Sequence, residues 1–122
     1  PSPVADGSFL GVAFSPDGKI LASGHYDGFI QLWDTSSGAL INTYASQGVI
    51  ESLAFSPDSS VLAAGLSYEH FTIQLWSLSS GELIHQLPGH THGIEYLLFS
   101  GDGSLIASAS YDGIVRLWGI RP

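Results

Sequence analysis

The sequence predicts an all-β chain made of three copies of one unit, and two observations carry that prediction. The first is self-similarity. Residues 12–34 read VAFSPDGKILASGHYDGFIQLWD, residues 53–77 read LAFSPDSSVLAAGLSYEHFTIQLWS, and residues 89–118 read GHTHGIEYLLFSGDGSLIASASYDGIVRLW. Phe14, Phe55 and Phe99 recur at steps of 41 and 44 residues, and Trp33, Trp76 and Trp118 at steps of 43 and 42. The second is the texture inside each copy. Short apolar runs alternate with Gly, Pro, Asp and Ser clusters, which is strand-and-turn spacing, and no segment requires a helix.

Taken in order, residues 1–7 hold two prolines and no clear pattern. Proline cannot donate to a sheet ladder, so this stretch is expected to be a tail or a poor edge strand. In the first copy strand a covers residues 8–15, and Pro16-Asp17-Gly18 turns the chain, with Pro presetting φ and Gly tolerating a positive φ. Strand b covers 19–24, Tyr26-Asp27-Gly28 makes a hairpin turn, strand c covers 29–34 and strand d 39–44. The second copy places its strands at 49–55, 61–66, 72–78 and 83–87, with a b–c connection two residues longer. The third places them at 94–99, 104–110 and 114–120 and stops without a strand d. The chain is thus expected to be one segment, residues 1–122, with units at about 8–45, 49–87 and 90–120.

A repeat of about 40–45 residues that opens on Gly-His and closes on a Trp-Asp-like pair resembles the WD40 family of β-propellers. The likeness runs from about Phe9 to Ile120. It implies three four-stranded antiparallel blades with strand a innermost, the third lacking its outer strand, that is, a partial propeller. It also implies a non-enzymatic scaffold for protein–protein interaction that meets its partner through the loops of the top face. Three blades leave two apolar sheet faces open, so the chain is expected to be a fragment of a longer propeller or to self-associate if complete. Two copies would supply six blades.

Composition narrows the partners. The chain is 44% hydrophobic and 11% charged, enough apolar material for a packed core. Its net charge is −8, with Lys19, Arg116 and Arg121 as the only Lys and Arg. That balance disfavours nucleic acid and anionic membrane, which need clustered cations, and favours a basic protein or peptide. There is no cysteine, so thiol chemistry is excluded, and no methionine even at position 1, which suggests processing or a piece of something longer. No signal peptide or membrane-spanning run is visible, which leans the compartment towards the cytoplasm.

The resemblance carries a set of site residues. His90, Ser108, Asp112 and Trp118 fall where the family places a buried hydrogen-bonded tetrad. The first copy keeps Ser23, Asp27 and Trp33 but has Ala5 where the histidine would stand, and the second keeps only Trp76, with Ala64 in the serine position. Ser, His and Asp also make a hydrolase triad, but Ser108 sits mid-strand without a nucleophile elbow, so a structural role is expected. His25, His70 and His92 fall at or beside loops of the top face and, with nearby Glu, define the alternative of a metal-binding or hydrolytic propeller; their spacing matches no metal motif, and no metal or cofactor is expected. Tyr26, Tyr68 and Tyr111 stand at or near the residue before the b–c turn, and Glu51 and Glu95 stand four residues before their strand-a Phe. Together these five residues are the expected partner-binding set: an acidic mouth with aromatic edges.

Overall fold

The computed structural model describes residues 9–46, 48–67, 72–88, 90, 92–111 and 113–119. These residues contain eleven strands and no helix. β1 (Phe9–Phe14), β2 (Ile20–His25), β3 (Phe29–Asp34) and β4 (Leu40–Ala45) form one antiparallel sheet in chain order. β5 (Val49–Phe55), β6 (Val61–Ser67), β7 (Thr72–Ser77) and β8 (Leu83–Pro88) form the second. β9 (Ile94–Phe99), β10 (Leu105–Ser110) and β11 (Val115–Gly119) form the third, which has three strands among the described residues. The architecture is that of partial propeller blades, all-β throughout.

The repeat is written into the turns. Ser15 Oγ donates to Asp17 Oδ1 at 2.6 Å, and the Lys19 amide donates to the same carboxylate at 3.0 Å. Ser56 with Asp58 and Ser100 with Asp102 repeat this, each at 2.8 Å, with the Ser60 and Ser104 amides and hydroxyls added. An acceptor held by neighbouring donors fixes a tight a–b turn without help from the core. The third turn position has a positive φ in all three copies: 75° at Gly18, 78° at Gly103 and 64° at Ser59.

Packing between the sheets follows one rule. Ala22, Ile30, Leu32 and Tyr44 of the first sheet meet Ile50, Leu53, Phe55, Leu62, Leu66 and Trp76 of the second in one buried cluster. Ala63, Ile73 and Leu75 of the second sheet meet Ile94, Leu97 and Ile106 of the third in another. Each sheet therefore has a leading face, bearing the strand-a Phe and strand-c Trp, that covers the trailing face of the sheet before it. Among the described residues, the end sheets each keep one uncovered face. On the leading face of the first, Val12 and Phe14 are 57% and 65% exposed, whereas Leu53 and Phe55 at the matching places are 8%. On the trailing face of the third, Val115 and Leu117 are 68% and 70% exposed, against 0% for Ile30 and Ile73 and 3% and 1% for Leu32 and Leu75.

Candidate functional site

The strand-b serine organises the polar interior of the first and third sheets. In the third, Trp118 Nε1 donates to Ser108 Oγ at 2.9 Å, and His90 Nε2 lies 2.6 Å from the same oxygen. The two rings meet edge to face, with centroids 6.3 Å apart. In the first, Trp33 Nε1 donates to Ser23 Oγ at 3.0 Å, and the imidazole comes from His25, whose Nε2 is 3.0 Å from that oxygen. Because each serine oxygen accepts from an indole, its own hydrogen can be given to the imidazole. Among the described residues the second sheet has no such arrangement: Ala64 is apolar, and Trp76 Nε1 is buried with no hydrogen-bond partner.

His25 corrects the sequence reading. The sequence suggests a solvated loop residue, but His25 ends β2 and is buried. The signal was present. Ser23 and His25 are two apart on one strand, so they share a face. Asp27 accepts from the Phe29 amide at 3.3 Å and so caps the b–c turn. Asp112 lies outside the described residues, as does Tyr68.

The Ser–His pairs do not offer a nucleophile. Ser108 is 1% exposed and its oxygen is shared between an imidazole and an indole, whereas acyl transfer needs a reachable hydroxyl beside an oxyanion site. No group of three or more His, Asp or Glu side chains that could hold a metal ion occurs among the described residues.

At the other candidate site the structure brings some residues together and leaves others apart. Tyr111, at the b–c turn of the third sheet, donates its hydroxyl to Glu51 Oε2 of the second at 2.7 Å. Its amide donates to the Gly93 carbonyl, which anchors the turn beside β9. The Tyr111 phenol is pushed up to about 12, first by the hydrogen bond to Glu51, then by the charge of Glu51, with Glu95 and Tyr96 adding to it. Glu51 and Glu95 thus place two carboxylates in the field felt by Tyr111. Glu51 is half-buried, while Glu95 and Tyr111 are exposed. Tyr26, at the corresponding turn of the first sheet, is exposed as well. Tyr96 is 66% exposed and was missed by sequence reasoning, because its counterparts Gly11 and Ser52 give no hint of an aromatic there.

Comparison with known proteins is consistent across the chain. The family model for the WD domain, G-beta repeat, matches residues 5–34, 38–77 and 81–119. The second match spans β4 to β7 and the third β8 to β11, so each of these two repeats holds the outer strand of one sheet and the three strands that follow it. Periodic tryptophan protein 2 of Saccharomyces cerevisiae is 34% identical over 89% of this chain and 16% of its own length. Small ribosomal subunit protein RACK1z of Arabidopsis thaliana is 34% identical over 89% of this chain and 38% of its own. Autophagy-related protein 16 of Arabidopsis thaliana is 35% identical over 95% of this chain and 23% of its own. The chain therefore spans well under half the length of these relatives.

Proposed function

The chain belongs to the WD40 family, the WD-domain G-beta repeats, and from that premise we propose that it is a non-enzymatic interaction scaffold whose b–c and d–a loops receive a basic protein segment. The observation that carries the reading is the acidic cluster of Glu51 and Glu95 framed by the exposed rings of Tyr96 and Tyr111. An arginine side chain can pair with a carboxylate and stack on a tyrosine at once, and such a site loses affinity as salt rises. Tyr111 takes one oxygen of Glu51, so the free carboxylate of the pair is Glu95 and the Glu51–Tyr111 bond acts as its fixed wall. Lys19 stands in an a–b turn at the other end of the strands, and Arg116 lies within β11 opposite Ser108, so neither neutralises this mouth.

The test is fluorescence polarisation with a labelled Arg- and Lys-rich peptide at low and high salt. Glu51→Lys with Glu95→Lys should weaken binding by at least about tenfold at low salt and flatten the salt dependence. Glu82→Lys, at the c–d turn on the opposite end, should leave binding close to the parent's. Equal binding by the double variant and the parent at low salt would remove the acidic mouth as the recognition site.

A further inference from the structure

Among the described residues, β4 in the first sheet and β8 in the second each leave one edge without a neighbouring strand. Both strands are followed by a further sheet of the chain, so these are the outer edges of four-stranded units. Such an edge displays unpaired N–H and C=O groups and is a template for another strand. β4, Leu-Ile-Asn-Thr-Tyr-Ala, carries no charge and no proline, and Leu40 and Ile41 are 48% and 51% exposed. Nothing in its composition blunts it.

Register tells which groups point outwards. The Ser46 amide donates to the Gly28 carbonyl at 2.9 Å, just beyond the last β3–β4 pair. Antiparallel pairing alternates, so the amides of Tyr44 and Asn42 point to β3, and those of Ala45 and Thr43 point away. The outward Thr43 amide is not open. It donates to Oδ1 of its own neighbour Asn42 at 2.9 Å. β8 shares this register: Thr72 pairs with Pro88 as Phe29 pairs with Ala45, and Gln74 with Gln86 as Gln31 with Thr43. Its outward positions are therefore Gln86 and Pro88, and proline has no N–H to offer. Each edge has one of these two outward donors withdrawn, by a side-chain acceptor in β4 and by a proline in β8.

We infer that Asn42 and Pro88 close the outer edges of the first two sheets to strand addition, and that the strand kept off the β4 edge is β4 of a second copy. The edge is self-complementary about Thr43. Two copies related by a two-fold axis can set Thr43 opposite Thr43, each giving its amide to the other's carbonyl, with Ala45 of one beside Ile41 of the other. In that register the Thr43 amide is the central donor, and it is the one that Asn42 holds. The net charge of −8 opposes association in general, but β4 carries none of it, so this edge needs a local guard.

Amide hydrogen exchange followed by NMR reads the cap, and sedimentation equilibrium across the micromolar range reads its consequence. In the parent the Thr43 amide should exchange at least about tenfold more slowly than that of Ala45, and Asn42→Val should bring the two rates together. Only association that Thr43→Pro abolishes is counted. Proline at that place copies the device of β8 and removes an amide that β3 does not use, so the sheet should persist. The parent should show no such association. Asn42→Val, which removes the acceptor and keeps strand propensity, should bring it, at least about tenfold tighter than any trace in the parent. A cooperative urea transition in each variant shows that it is folded, and Asn42→Ala stands in if the valine variant does not fold. Thr43 exchange as fast as that of Ala45 in the parent, Thr43→Pro-sensitive association of the parent, or its absence in the folded Asn42 variant overturns the inference.

Discussion

Trp33 and Trp76 are both 7% exposed and occupy the same place in successive sheets, yet one indole N–H donates to a serine and the other has no acceptor. They make an internal control. Trp→Phe removes a similar volume at each and leaves a ring to stack on Tyr44 at position 76, so the difference between the two variants reports chiefly on the hydrogen bond. Trp33→Phe should cost about 1–3 kcal/mol more than Trp76→Phe in urea denaturation, since only the first strands polar partners. The converse gain is available: Ala64 is fully buried at the serine position, and Ala64→Ser should stabilise the chain by about 0.5–1.5 kcal/mol by giving Trp76 an acceptor. Equal losses at the two tryptophans would show that Ser23 does not hold Trp33 as described. At this scale the sequence was informative about which residue types matter and less so about which copies supply them. The three tryptophans were legible from spacing, and Ser23 and Ser108 from the resemblance to the WD40 family. His25 was not, because its place beside Tyr26-Asp27-Gly28 made it look like part of the turn, and only its pairing face reveals the bond to Ser23.

Among the elements, the a–b turns depend on ionised carboxylates. Asp58 is held down to about 2, first by the Ser60 hydroxyl, then by Ser56 and the Ser60 amide. Asp102 is held down to about 2, first by the Ser104 amide, then by the Ser104 and Ser100 hydroxyls. A carboxyl depressed in the fold adds stability above its unfolded value of 3.8 and loses that contribution as pH falls towards 2. The urea midpoint of the parent should therefore drop between pH 4 and pH 2 more steeply than that of Ser60→Ala with Ser104→Ala, whose carboxyls titrate nearer the unfolded value. Parallel curves would mean that the serines do not tune these turns. Pro16-Asp17-Gly18 could be read as a turn because each residue has a known backbone preference. Ser59 could be placed in a turn but not assigned its positive φ, because the neighbouring donors to Asp58, rather than its own preference, hold it there. The b–c connection of the second copy was expected to be the longest, and its residues 68–71 lie outside the described part of the chain.

At the scale of the whole molecule, the count of three sheets among the described residues follows from the repeat length, whereas the fit between sheets does not. Fit depends on register, and register becomes visible only when Gly24 is seen opposite Gly11 and against Ile50. If the notch at Gly24 holds the first two sheets together, substitutions on its two sides must couple. Gly24→Ala puts a methyl group into space already held by Ile50 and should cost about 1–3 kcal/mol through overpacking. Ile50→Ala empties a fully buried site and should cost about 2–5 kcal/mol. Together the new methyl occupies part of the space that the lost side chain leaves, so the double variant should be less damaged than the sum of the singles by about 1 kcal/mol or more. Gly18 has a positive φ and no atom within 4 Å of an added Cβ, so Gly18→Ala should be destabilising for backbone reasons alone and additive with Ile50→Ala. Urea denaturation of the five variants decides the matter. Coupling at Gly24 with additivity at Gly18 identifies the seam between sheets as the place where glycine is needed for space, and additivity at both would mean that the first two sheets are joined by general apolar burial rather than by that notch.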